Sequence, residues 1–65
     1  MLEWKKVYNY DVKVEDGKVI LVVKQDGTTG YPYKYDEKQR ASVLQEGLTF
    51  EKFRNGMYKG IYEIW

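Results

Sequence analysis

The stretch that decides the fold is residues 8–25, which read YNYDVKVEDGKVILVVKQ. Up to Glu15, apolar residues occupy the even positions and polar residues the odd ones, which is the period of a strand with one buried face. Residues 19–23 are apolar without a break, and they predict a strand covered on both faces. Asp16 and Gly17 suit a two-residue type I′ turn, which needs positive φ at both positions. The sequence therefore predicts an antiparallel hairpin with Asp16-Gly17 at its tip.

A two-residue turn also sets the register of this hairpin. The predicted cross-strand pairs are Glu15 with Lys18, Val14 with Val19, Val12 with Leu21, Asp11 with Val22 and Tyr10 with Val23. In this register Leu21 lies in the core. Trp4 has the parity of Tyr8, so we expect it to extend the first strand and to place its indole on the core face.

Length and composition limit the chemistry that the chain can perform. Sixty-five residues form one domain, which buries about 60% of the surface of its unfolded chain and so has a thin core. The chain contains neither cysteine nor histidine. This composition excludes zinc sites built on those residues, cysteine nucleophiles and histidine general bases. We expect no cofactor and no metal.

The charges are balanced and interspersed. Eleven lysines and arginines face ten aspartates and glutamates, for a net charge of +1. Nucleic-acid-binding domains usually carry a basic surplus, and a mimic of DNA would be strongly acidic. No 18-residue apolar run predicts a membrane span, and residues 1–6 lack the apolar region of a signal peptide. We therefore expect a cytoplasmic protein.

Three tyrosines alternate in the segment Tyr31-Pro32-Tyr33-Lys34-Tyr35. Residues 26–30 before it contain two glycines and an aspartate, which predict a loop. Because proline cannot donate to a ladder, the tyrosine segment is predicted as a short edge strand beside residues 19–23, completing a three-stranded meander. The tyrosine stripe has two interpretations. It is either a covered face or a contact surface, since tyrosine is enriched at protein interfaces.

Residues 36–46 are predicted to form a helix. Asp36 can cap its N-terminus, with Gln39 at the capping-box position, and Gly47 can end it. A second, shorter helix is predicted after Thr49, because Thr49 can cap it.

Four further residues indicate where this second helix begins and ends. Leu48 and Phe53 have the spacing of a hydrophobic staple, and Asn55-Gly56 would end the helix. The alternative is a hairpin with Asn55-Gly56 at its tip.

Residues 57–65 predict a final strand paired inside the sheet, beside the first strand. The predicted class is α+β: an antiparallel sheet made of a three-stranded meander and a C-terminal strand, with one or two short helices between strands 3 and 4.

No catalytic constellation is found in the sequence, and we predict that the chain is not an enzyme. Ser42 is the only serine, and Lys38 one turn away is explained by a solvated helix face. The favoured function is a small protein-binding module, a modulator or inhibitor of a larger protein of the kind that phages and mobile elements encode. The candidate binding residues are Tyr31, Tyr33, Tyr35, Lys34, Arg40 and Trp65.

Two other functions are also compatible with the sequence. One is a nucleic-acid-binding sheet in which Tyr31, Tyr33 and Tyr35 stack on bases. The residues that would touch phosphates are Lys24, Lys34, Lys38 and Arg40. The other is a homodimer, joined through an edge strand or through the terminal aromatic residues.

Overall fold

The computed structural model describes residues 1–65, which form seven strands and one helix. In chain order the elements are β1 (Leu2–Val7), β2 (Tyr10–Glu15), β3 (Lys18–Val23), β4 (Thr29–Gly30), β5 (Pro32–Asp36), β6 (Ala41–Leu44), α1 (Phe50–Tyr58) and β7 (Tyr62–Ile64). Sheet A has the antiparallel order β1-β2-β3-β4, and sheet B has the order β6-β5-β7. The predicted α+β class is confirmed.

The core lies where sheet A meets α1 and sheet B. Its buried side chains are Val7, Val12, Val14, Val19, Val22, Leu48, Phe53 and Tyr62. Five of these eight are valines of sheet A, since β-branched side chains pack well on a pleated surface. Sheet B contributes Tyr62, whose ring stacks on Phe53 with 6.3 Å between centroids. This aromatic pair packs the single helix against sheet B.

The hairpin at Asp16-Gly17 is confirmed. Asp16 has φ +52° and Gly17 has φ +80°, so both central residues have the positive φ that a type I′ turn requires. Glu15 pairs with Lys18 and Val14 with Val19, as predicted.

Beyond Val14 the predicted register is wrong, because β3 contains a bulge. Lys13 pairs with Leu21 and Val12 with Val22, so Ile20 has no partner of its own on β2. Asp11 pairs with Val23, whereas Tyr10 pairs with Val7 of β1.

The bulge changes which residue of β3 is buried. Val22 is 0% exposed, whereas Leu21 is only partly buried on the outer face of sheet A. The prediction that Leu21 is a core residue is therefore wrong. Because residues 19–23 are all apolar, an apolar side chain faces the core in either register. The sequence pattern therefore does not reveal the one-residue shift that the bulge causes.

The prediction for Trp4 is also wrong. The chain reverses at Tyr8-Asn9, with Tyr8 at φ +53°, and the preceding residues form a separate strand. That strand, β1, pairs with β2 and places Trp4 opposite Lys13 on the outer face. The indole is 56% exposed, and the Lys13 Nζ lies 5.9 Å from its ring centroid.

The tyrosine segment does not complete the meander of sheet A. Only Thr29 and Gly30 pair with β3, and the chain then passes into sheet B. There β5 is the central strand, between β6 and β7, and not an edge strand. Pro32 is tolerated because it is the first residue of β5, and its carbonyl oxygen accepts a hydrogen bond from the Gln45 N–H at 3.0 Å.

No helix forms over residues 36–46, so that prediction is wrong. Asp36 accepts a hydrogen bond from the Lys38 N–H at 2.8 Å, and Arg40 takes φ +53°, which closes a turn between β5 and β6. The acceptor that suited a helix cap therefore caps a turn. Because the apolar pattern of residues 36–46 is weak, it does not favour a helix over strand pairing in sheet B.

The helix after Thr49 is confirmed, and the alternative hairpin is excluded. The Thr49 side chain accepts a hydrogen bond from the Lys52 N–H, and Leu48 and Phe53 are both buried. The helix continues past Asn55-Gly56 to Tyr58, so its predicted end is wrong. A final strand is present, but it covers only Tyr62–Ile64, because Met57 and Tyr58 belong to α1. β7 pairs only with β5 and lies at the edge of sheet B, so the prediction that it pairs inside the sheet beside the first strand is wrong.

Candidate functional site

The register of sheet B places the predicted aromatic residues on one face. Residues directly opposite each other on neighbouring strands share a face. Tyr33 lies opposite Leu44 of β6 and Glu63 of β7, and Tyr35 lies opposite Ser42. The sheet pairing extends one residue further, because Tyr31 and Trp65 exchange two backbone hydrogen bonds. We call the set Tyr31, Tyr33, Tyr35, Leu44 and Trp65 the aromatic face.

The aromatic face points away from the core. The residues that alternate with it on β5 and β7 include Pro32, Tyr62 and Ile64, all of which are buried or partly buried. The Tyr62 ring packs against α1, where Gly56 leaves the space for it: a Cβ at position 56 would overlap Cε2 and Cδ2 of that ring. Helix and core therefore cover one side of sheet B and leave the other to solvent.

The rings of the aromatic face are well exposed. The exposed fractions are 46% for Tyr31, 58% for Tyr35 and 61% for Trp65. Tyr33, on the central strand, is half-buried between its neighbours, and the Leu44 side chain is 36% exposed. Since sheet pairing fixes the backbone of these residues, their side chains are held together without help from a partner.

The aromatic face carries little charge. Glu63 is the one charged residue that the strand pairing places on it. Lys34 lies on the opposite face, beside Tyr62, and Arg40 is exposed in the turn between β5 and β6. Of the six predicted binding residues, the structure thus brings together Tyr31, Tyr33, Tyr35 and Trp65, and it separates Lys34 and Arg40 from them. Lys38 shares the turn with Arg40, and Lys24 follows β3 in sheet A.

Leu44 was not among the predicted binding residues. The sequence predicts a helix at this position, and only its strand pairing with Tyr33 places Leu44 on the aromatic face. The signal that could have found it is the turn at residues 37–40, which Asp36 caps in the same way as it would cap a helix.

A second region is the cleft between α1 and sheet B, which we call the lysine cleft. It has a volume of about 500 Å³. Its polar lining residues are Lys34, Thr49, Glu51, Lys52, Asn55 and Lys59, and the side chain of Tyr62 also lines it. Lys52, Asn55 and Lys59 are spaced by three and four residues, so they share one side of α1. That spacing is present in the sequence, but it was missed because the helix was predicted to end at Asn55-Gly56.

Other exposed aromatic residues lie apart from the aromatic face. Trp4 is on the outer face of sheet A. Tyr8 and Tyr58 form an edge-to-face pair with 5.4 Å between ring centroids, and the Tyr8 hydroxyl donates to the Met57 carbonyl oxygen at 3.5 Å. These residues provide matched controls for experiments on the aromatic face.

One carboxyl group has a shifted pKa, and it lies outside both regions. The Thr28 hydroxyl and N–H donate to the Asp26 carboxylate at 2.6 and 3.0 Å, and they lower its pKa below the ordinary value of 3.8. This contact stabilises the loop between β3 and β4. No group of three or more Asp, Glu, His or Cys side chains is placed to hold a metal ion.

No known protein family, curated protein or solved structure matches the chain. Its one helix is too short and too polar to cross a membrane.

Proposed function

We propose that this chain is a non-enzymatic protein-binding module, which modulates or inhibits a larger protein by docking its aromatic face on an apolar surface of that protein. The observation that carries the proposal is the gathering of Tyr31, Tyr33, Tyr35 and Trp65 on the open side of sheet B. Tyrosine and tryptophan are the residues most enriched among those that dominate binding energy at protein interfaces.

The size of the aromatic face supports this function. One partner of a standard protein complex contributes roughly 800 Å² of surface. Aromatic side chains bury about 150–250 Å² each when they are fully covered. Four partly exposed rings and Leu44 therefore supply a large part of one interface.

The charge of the aromatic face favours a protein over a nucleic acid. Single-stranded nucleic acid is bound by stacking rings together with a basic groove that follows the phosphates. Here Glu63 lies on the same face as Tyr33, and Lys34 lies on the opposite one. The residues for stacking are therefore present without the adjacent positive charge.

The test compares two double variants that remove the same two kinds of ring. Tyr35→Ala with Trp65→Ala removes rings of the aromatic face, which are 58% and 61% exposed. Tyr58→Ala with Trp4→Ala removes rings elsewhere, which are 58% and 56% exposed. Each protein serves as bait in a lysate of the source cells. The expected result is one defined protein that the wild type and the control variant capture and the aromatic-face variant does not, reproduced with both proteins purified.

A nucleic-acid mode predicts a different result. Micromolar binding to single-stranded oligonucleotides should then fall with salt, with a log–log slope of about −0.7 per phosphate contact. If such binding is found and is lost in the aromatic-face variant, the ligand of the aromatic face is a nucleic acid and not a protein. Sedimentation as a dimer that this variant alone disrupts would make a second copy of the chain the partner.

A further inference from the structure

We propose that the lysine cleft binds a compact dianionic oxyanion of the phosphate-monoester class. This site lies on the side of sheet B opposite the aromatic face, so it is independent of the docking function proposed above. The inference rests on how the cleft is built, on its charge and on the unpaired hydroxyl group of Tyr62 in its lining.

The cleft is organised around Tyr62. Lys34 is directly opposite Tyr62 in the pairing of β5 with β7, so the two side chains are neighbours on the helix-facing side of sheet B. Gly56 of α1 lies against the ring of Tyr62. Lys52 and Lys59 lie one turn before and one turn after Gly56 along the helix, and both line the cleft. Three lysines, one from β5, one from α1 and one at the C-cap of α1, therefore line the cleft together with this ring.

The positive charge of the cleft is not neutralised within the chain. The salt bridges of the protein are Met1 N-terminus with Asp16, Lys5 with Glu3, and Lys6 with Asp11. None of them includes a lysine of the cleft. Glu51 is the one acidic residue in the lining, so three lysines and one glutamate give a formal charge of +2. A phosphate monoester carries about −1.5 to −2 at pH 7, which complements that charge.

A second observation points to the same ligand. Tyr62 lines the cleft, and its hydroxyl forms no hydrogen bond within the chain. The hydroxyl is not among the buried atoms that lack a partner, so it is accessible and free to donate to a ligand. An oxyanion above the ring would accept from this O–H, and the Asn55 amide, also in the lining, would supply another donor. The volume of about 500 Å³ is in the range of small-molecule sites and leaves room for the group that carries the phosphate.

The experiment follows backbone amide signals by NMR while inorganic phosphate replaces chloride at constant ionic strength. We expect saturable shifts at residues 49–59 and at Tyr62, which border the cleft. The double variant Lys52→Gln with Lys59→Gln should bind at least tenfold more weakly. The control, Lys24→Gln with Lys38→Gln, removes the same charge outside the cleft and should bind as the wild type does. All four positions are partly or fully exposed, so both variants should fold, which the spectra check directly.

Two further arms identify the chemistry. Tyr62→Phe keeps the ring and removes only the hydroxyl, and it should weaken binding severalfold. An oligonucleotide without a terminal phosphate presents only monoanionic diesters and should compete poorly with a phosphate monoester. Absence of saturable shifts, an equal loss of affinity in the control variant, or equal competition by the oligonucleotide would each overturn the assignment.

Discussion

The backbones of Tyr31 and Trp65 exchange two hydrogen bonds. The Tyr31 N–H donates to the Trp65 carbonyl oxygen at 2.6 Å, and the Trp65 N–H donates to the Tyr31 carbonyl oxygen at 3.0 Å. Such a pair places both side chains on the same side of the sheet. The Trp65 indole is thereby held next to the Tyr31 ring. Trp65 is the most exposed residue of the aromatic face.

The bulge in β3 predicts which core truncation is costly. Val22→Ala should lower the free energy of unfolding by about 2–3 kcal/mol, because it removes methyl groups from a fully buried site. Leu21→Ala should cost about 1 kcal/mol or less, because that side chain lies on the outer face of sheet A. Urea unfolding of the two variants measures both values. A larger loss for Leu21→Ala would contradict the bulged register.

We expect position 17 to require glycine because of its backbone conformation, and not because a side chain there would clash with a neighbour. A Cβ at this position would meet no atom within 4 Å, but φ is +80°. Gly17→Val should therefore destabilise the protein by about 1–2 kcal/mol through backbone strain alone. Gly17→Asn is the control, since asparagine tolerates positive φ, and it should cost much less. Equal urea midpoints for the two variants would mean that the turn does not require this conformation.

We expect position 56 to require glycine because any side chain there would clash with a packed neighbour. Alanine is favoured over glycine inside a helix by about 1 kcal/mol. At this position, however, a Cβ would overlap the Tyr62 ring, and overpacking a core costs about 1–3 kcal/mol or more. Gly56→Ala should therefore destabilise the protein, whereas Asn55→Ala at the adjacent exposed helix position should be neutral or stabilising. A Gly56→Ala variant more stable than the wild type would show that β7 is not packed on α1 as described.

The loop between β3 and β4 should respond to acid. Its hydrogen bonds with Thr28 lower the pKa of Asp26 in the folded state below the ordinary 3.8. The stabilisation is thus fully present above pH 3.8 and is lost as the pH falls through the lower folded pKa. In Thr28→Val, which lacks the hydroxyl donor, the Asp26 pKa should move back toward 3.8. An NMR titration of the carboxyl carbon measures both pKa values, and identical values would show that this hydrogen bond is not formed.

Local signals in the sequence predict local structure here. Asp16 and Gly17 form the turn through their two positive φ angles, and Thr49 with Leu48 and Phe53 defines the start of α1 within six residues. In both cases, the interactions that stabilise the element lie within the stretch that predicts it.

Pairings between distant segments were not predictable in this way. Residues 37–40 close a hairpin between β5 and β6, and the other edge of β5 pairs with β7, a strand near the C-terminus that no signal in residues 31–46 indicates. The alternation of Tyr31, Tyr33 and Tyr35 predicts one shared face. That this face is open to solvent follows from the packing of Tyr62 against α1 on the other side.

The two tryptophans allow a direct measurement of the docking proposal. Trp4→Phe leaves Trp65 as the only tryptophan, on the aromatic face, and Trp65→Phe leaves Trp4, on the outer face of sheet A. Each variant is titrated with the purified partner from the capture experiment, in a form whose own tryptophans are replaced by phenylalanine. The account predicts a blue shift of the emission for Trp4→Phe, as the Trp65 indole leaves water, and no shift for Trp65→Phe. A blue shift confined to Trp65→Phe would place the interface on sheet A and contradict the account.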